Sequence, residues 1–382
     1  MTRPRFDRHE LAGAFGDIGT DLPLIVALIG ATDLNGATVL IVFGALQILT
    51  GIVYGLPMPM QPLKAMAATM IAASAAGTPI SGDVYRSGGL AIGVIMLVLS
   101  LSGGLNWLTR AIPSCVVRGI QFGLGLTLAT LATGTYLPKL GGEGYVLAVL
   151  CAAVIIALWG NRCVPAAPIV ILLGLGYALW RTLDLGELAL FQSAPEFGGL
   201  TLSRERLWEG LLLLALPQLP LSLSNAVIAT EHTVKDFFPE KRVTANQIGV
   251  TYGITNVIAA FAGGIPVCHG CGGLAGHYAF GARTGGSVMI YGSLYMLLGL
   301  VLGESVETFV AAFPLPVLGV MLLFESVAIM RLLRHVAGDQ KELTIALLVG
   351  AVAAGIPKYG FLVGLIVGVL VWIAWRRTSL AT

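Results

Sequence analysis

The 382-residue chain is poor in charge: only 11% of its residues are Asp, Glu, Lys or Arg, against about 25% in soluble globular domains. That deficit excludes an ordinary water-soluble domain. Cysteine is also scarce, and the five at positions 115, 151, 163, 268 and 271 make no disulfide framework. Cys268-His-Gly-Cys271 offers two ligands where a structural zinc takes four, and no second Cys/His pair stands at usable spacing. The c-type haem signature would need histidine where Gly272 stands, so no metal and no cofactor is expected. The phosphate-binding pattern Gly-x-x-x-x-Gly-Lys-Ser/Thr is missing, which excludes ATP hydrolysis by this chain. No nucleophile–base pair or paired carboxylates support an enzyme. The short basic N-terminus has no small-residue cleavage site after an apolar core, so an uncleaved first span is expected. The net charge of +2 is scattered between apolar stretches and makes no footprint for nucleic acid.

What the chain has is hydrophobic residues, 56% of the total, and 50 glycines without a collagen period. Abundant Gly, Ala, Ser and Thr suit helices packed closely in a bilayer. A spanning helix takes roughly 20 apolar residues. About seven such stretches precede Arg181, near 11–31, 36–55, 62–77, 88–103, 112–135, 145–160 and 164–181. About seven follow Arg204, near 207–230, 244–262, 270–282, 287–303, 308–333, 342–355 and 360–376. The expected fold is an all-α polytopic membrane protein with 14 transmembrane segments. Residues 1–181 form a first seven-span repeat, 182–206 a polar connection, and 207–382 a second repeat. With both termini cytoplasmic at an inner membrane, fifteen basic residues fall on inside segments and six outside, as the positive-inside rule asks. An odd number of spans per half inverts the second repeat relative to the first. No cytoplasmic domain is expected after the last span.

Each half is interrupted once by a Gly/Pro-broken polar stretch, residues 55–64 and 263–273. Backbone that gives up helical hydrogen bonds at membrane depth must line a cavity or be buried in protein. Paired breaks at corresponding places are the sequence pointer to the midplane site of an inverted-repeat transporter. Each break is the third span of its half, two spans after an unusually polar first span. Thr20 and Gln61 are 41 residues apart, Asn225 and His269 44 apart, near-equal as duplicated units would be.

A half-helix starting after Gln61-Pro62 would expose backbone N–H groups, Pro62 suiting the first helical position. A second would start near His269-Gly270, where Gly270, Gly272 and Gly273 admit a ligand close to the backbone. Each helix N-terminus carries about half a positive charge, so two facing termini suit a doubly negative tetrahedral anion. The candidate binding residues are Thr20, Gln61, Pro62, Leu63, Lys64, Ser224, Asn225, His269, Gly270, Cys271 and Gly272, with Thr20, Gln61, Ser224, Asn225 and His269 as side-chain donors. Asp17 and Asp21 are candidates for substrate-coupled protons or for capping the broken helix. Lys64, one turn into its half-helix, would face the anion or pair with Asp17 or Glu231. Glu231 with His232 is a coupling candidate or marks the cytoplasmic end of span eight. Arg283 reads as an interface anchor, and Glu325 in span twelve has no assigned role.

The stretches Pro57-Met-Pro-Met-Gln-Pro-Leu-Lys64 and Pro266-Val-Cys-His-Gly-Cys-Gly-Gly-Leu-Ala275, with Tyr278-Ala-Phe-Gly-Ala-Arg-Thr-Gly285 after it, resemble the signatures of the molybdate transporter family, a branch of the sulfate-permease superfamily. The first span's Gly13-Ala-Phe-Gly-Asp-Ile-Gly-Thr20 is similar too. Met60, Leu63 and Cys271 are small departures from the pattern. The resemblance implies the uracil-permease fold of seven plus seven inverted helices. Spans three and ten would begin as short strands that become half-helices, and a core domain (spans 1–4 and 8–11) would move against a gate domain (5–7 and 12–14). It implies a secondary transporter importing molybdate, with tungstate or sulfate as alternative cargo, a coupling proton or sodium ion, and a homodimer in the lipid bilayer. A nucleobase–proton symporter is the runner-up on the same fold. It would carry carboxylates in spans eight and ten, where Asn225 and His269 stand.

Overall fold

The computed structural model describes residues 3–105, 112–158, 166–181, 195–356 and 359–378. Residues 182–194 of the inter-repeat connection, Arg110, Arg162, Cys163, Lys358 and the side chain of Arg377 lie outside them.

Both breaks are built the same way. The helix Gly36–Tyr54 ends on Gly55 at φ 61°, and the helix Ala245–Ala262 ends on Gly263 at φ 87°, a left-handed cap that glycine adopts without a Cβ penalty. Each chain then runs extended into a three-residue strand, Met60–Pro62 (β1) and Val267–His269 (β2), which pair antiparallel with Gln61 opposite Cys268. The pair is anchored from both sides. Gln47 brackets Met60, its Nε2 donating to the carbonyl at 2.7 Å and its Oε1 accepting from the N–H at 2.9 Å. Asn256 brackets Val267 through the same two bonds, at 2.7 and 2.9 Å. Buried amide backbone without a partner costs about 1–3 kcal/mol, so these side chains make the broken segments tolerable away from water.

A half-helix leaves each strand: Lys64–Ala75 after β1 and Cys271–Ala279 after β2. The long helices around them touch almost backbone to backbone. A Cβ on Gly44 would come 2.3 Å from the Gly292 carbonyl oxygen, and one on Gly292 would come 2.4 Å from that of Gly44. Such close approach is what the small-residue content allows.

Several expected spans are not single straight helices. The first is broken into Arg8–Ala14 and Ile18–Ala31, bent by 44° at Gly16-Asp17, where a Cβ on Gly16 would strike the Gly276 backbone at 2.4 Å. The stretch near 308–333 is divided by Pro314 into Ser305–Ala312 and Leu315–Met330. Span eight carries π-helical stretches, Leu211–Ala215 and Ser222–Ala229, flanking Pro217 and Pro220. Proline removes helical donors and clashes with the preceding turn. Among the described residues, five helices are long and apolar enough to cross a membrane, or seven if each of two bent pairs is one span. The outer face exposes Leu101, Val149, Leu172, Trp180 and Leu370, as a lipid-facing surface does.

Candidate functional site

The two half-helices point their N-termini at one cavity of about 300 Å3. Its wall holds Asp17 and Thr20 from the first span, Gln61 and Lys64 from the first break, and Cys268, Cys271 and Gly272 from the second. Gln218 and Asn225 enter from span eight, Gln121 from the helix Ser114–Leu131, and Glu325 from Leu315–Met330. The strand register decides which break residues face it. Successive strand side chains point to opposite faces, so Gln61 and Cys268 face the cavity and their neighbours turn away.

Several expectations are corrected by this geometry. Pro62 is the last residue of β1 and not the first of the helix; Leu63 is a buried N-cap whose N–H donates to the Pro266 carbonyl. Lys64 is the first residue of its half-helix rather than one turn in, and it pairs with Glu325, Nζ to Oε1 2.6 Å, not with Asp17 or Glu231. His269 is buried away from the cavity, its Nε2 2.8 Å from the Thr251 hydroxyl. Ser224 donates to the Pro220 carbonyl and lines a separate recess with Arg118. Asp21 is fully buried off the cavity, accepting from the Tyr291 hydroxyl at 3.3 Å. Glu231 pairs with Lys235 one turn along, 3.0 Å. Asp17 stands at an N-cap position but makes no capping bond. Its two oxygens take the Gln61 Nε2 donor at 2.7 Å each, so the Gln61 amide is committed to Asp17.

Gly270 and Gly273 hold that pair in place. A Cβ on Gly270 would lie 1.9 Å from Gln61 Oε1, and one on Gly273 2.2 Å from Asp17 Oδ2. Gly272 is different: a Cβ there would meet open space. The remaining donors are fixed by what their partner atoms do. Asn225 Oδ1 accepts from the Cys271 thiol at 3.2 Å, and Gln121 Oε1 accepts from Arg118 Nη1 at 2.9 Å. Each amide therefore keeps its NH2 for the cavity. Gln218 Oε1 accepts from the N–H of Ala65 at 3.0 Å and of Met66 at 3.4 Å, so the first half-helix is capped from span eight. The second has no side-chain cap, its N-cap being Gly270.

Gln121, Gln218 and Cys268 were missed in the sequence, and Glu325 was left without a role. Helix spacing could have found Gln218, since 218, 221 and 225 share one face while Ser224 lies about 100° round from Asn225. Glu325, Ala328, Ile329 and Leu332 follow the same spacing along the opposite wall. Arg283 sits outside, its guanidinium 3.6 Å from the Tyr278 ring centroid and donating to the carbonyls of Tyr278 and Ala282.

This arrangement of crossing half-helices belongs to a fold seen in membrane transporters. The chain superposes on the transmembrane domain of a cyanobacterium bicarbonate transporter, BicA, with a TM-score of 0.68 over 94% of this chain and 97% of that one, at 18% identity. It superposes on murine Slc26a9, an anion transporter in the inward-facing state, with a TM-score of 0.71 over 99% of this chain and 70% of the other, at 12% identity. A sequence model described as "Molybdate transporter of MFS superfamily" matches residues 9–128 and 210–329. Molybdate transporter 1 of Arabidopsis thaliana is 34% identical, covering 95% of this chain and 88% of its own length. Molybdate transporter 2 of the same plant is 33% identical over 83% and 77%, and molybdate transporter 1 of Chlamydomonas reinhardtii 26% over 94% and 90%. The chain belongs to the molybdate transporter family, a family of transporters and not of enzymes.

Proposed function

We propose that this chain carries molybdate across the membrane as a secondary transporter, holding the anion between the two half-helix N-termini. The observation that carries the reading is the donor set of the cavity: the Lys64 ammonium, the NH2 groups of Asn225 and Gln121, and the uncapped N-terminus at Cys271-Gly272. Neutral donors and helix ends suit a tetrahedral dianion. Sulfate and tungstate have the same shape and charge, so the names of the relatives are what favour molybdate. Uracil finds no pair of facing carboxylates in spans eight and ten, where Asn225 and Cys271 stand.

The architecture proposed with it is fourteen spans in two inverted repeats of seven, with both termini cytoplasmic, and a homodimer in the inner membrane. The matched strand, amide bracket and half-helix of each half support the repeat, as do the two equal segments matched by the family. Spans 1–4 and 8–11 would move as the core against a gate of spans 5–7 and 12–14. For the coupling ion the cavity favours protons. Asp17 and Glu325 line it against Lys64 alone, so a dianion meets an excess of negative charge unless carboxylates are neutralised. Asp17 is faced by Gln61, the Gly273 backbone, Lys64 and Glu325, with Asp21 one turn along its own helix.

The test is uptake of labelled molybdate into proteoliposomes. Tungstate should compete and uracil should not, and an inward proton gradient should drive accumulation where a sodium gradient does not. Displacement by uracil but not by tungstate overturns the oxyanion reading, and accumulation driven only by sodium overturns the coupling.

A further inference from the structure

Lys64 is the only cation bordering the cavity, and it is already engaged. Its ammonium lies 2.6 Å from Glu325 Oε1. The Thr20 hydroxyl donates to Glu325 Oε2 at 3.4 Å, so both carboxylate oxygens are held by residues of the first repeat. Both side chains are largely shielded, with 22% and 15% exposed. The partners are separated by 261 residues and belong to different bodies. Lys64 begins the first half-helix, whereas Glu325 stands on Leu315–Met330, the helix that packs against Ser114–Leu131 on the far wall.

An anion that reaches Lys64 must displace this carboxylate, because one ammonium cannot give its full charge to two anions. We propose that Glu325 is the release residue of the transporter: a fixed carboxylate that replaces the transported dianion on Lys64 in this conformation. The inference rests on the oxyanion-transport reading above. As the half-helices move relative to Leu315–Met330, Lys64 leaves the reach of Glu325 and is free to bind the dianion. When they return, Glu325 competes for the same ammonium and lowers affinity at the face where cargo must leave. A carboxylate opposed to an oxyanion site thus weakens binding in one state only, which gives the cycle a means of unloading. The device also explains why an acidic side chain lines a site otherwise built from donors.

The experiment is equilibrium binding of molybdate to detergent-purified wild type, Glu325→Gln and Glu325→Asp, with net uptake measured in proteoliposomes. Removing a charge-assisted competitor should tighten binding in Glu325→Gln by about 10- to 150-fold, from roughly 1.5–3 kcal/mol for a hydrogen bond to a charged group at 1.4 kcal/mol per decade. Glu325→Asp keeps the charge on a stem one methylene shorter and should fall between the other two. In uptake, kcat and KM should decrease together in Glu325→Gln, because cargo that binds tighter leaves more slowly. A merely structural brace would lower kcat with KM unchanged or raised, and would weaken binding. Unchanged or weaker affinity in a monodisperse Glu325→Gln overturns the inference. If that variant is not monodisperse, the same result in Glu325→Asp does so. A wild type that binds no molybdate, tungstate or sulfate overturns the transport reading itself, which a failure confined to the variants leaves standing.

Discussion

The two half-helices are the same device finished differently. Each follows a left-handed glycine cap, an extended stretch and a three-residue strand held by an amide side chain. The first begins with Lys64, and the N–H groups behind it are taken by Gln218. The second begins with Cys271-Gly272-Gly273 and has no side chain to cap it. In the first, a side-chain charge faces the cavity and the backbone is satisfied by the protein; in the second, the backbone itself is left for the ligand. A pair of unlike ends can offer one mobile charge and one rigid set of donors to a single anion. Two capped ends would leave only side chains, and two bare ends would leave unsatisfied backbone whenever the site is empty.

The sharpest way to break this comparison is to obstruct the bare end. Gly270→Val should reduce molybdate affinity by about 100-fold or more, since its Cβ would collide with Gln61 and overpacking of this kind costs about 1–3 kcal/mol. Gly272→Ala, where space is open, should fold as wild type and weaken binding far less. Equal losses from the two would show that steric fit at Gly270 is not what matters. Lys64→Ala comes next, removing the mobile charge and weakening binding by about 10- to 150-fold, less severely for Lys64→Arg. Asn225→Ala and Gln121→Ala each delete one NH2 donor and should each weaken binding by about tenfold. Full affinity in both, measured by the same equilibrium titration, would place the anion elsewhere. Gln218→Leu should act on stability rather than affinity, because it strips the cap from a buried helix end. Thermal unfolding should register a loss of about 1–3 kcal/mol, with affinity changed only a fewfold. The smallest effect is expected of Arg283→Ala, whose bonds lie outside the cavity: affinity should stay at the wild-type value.

Gln61 shows how a correct residue can carry a different role. Its amide was expected to donate to the anion, yet both bonds go to Asp17. Gln61→Ala should then act by leaving a buried carboxylate unpartnered. His269 and Ser224 were placed in the site because polar groups in a broken membrane segment attract that assignment. One strand position and about 100° of helix turn direct them elsewhere.

The sequence by itself determined where the membrane helices break and what kind of groups surround the breaks. Gly55, Gly263 and the prolines after them act locally, through backbone dihedrals and missing donors, and composition alone marks the solvent as lipid. Thr20, Gln61, Lys64, Asn225, Cys271, Gly272 and Asp17 all border the cavity that these breaks create. Only the tertiary structure decided which donors remain free. The Lys64–Glu325 pair spans 261 residues, the Gln218 cap reaches back to Ala65 and Met66, and Arg118 sets which end of the Gln121 amide faces inward. Hydrogen-bond allegiance at such separations depends on which helices meet and on their rotation about their own axes, and that is fixed by packing of the whole bundle rather than by any local run of residues.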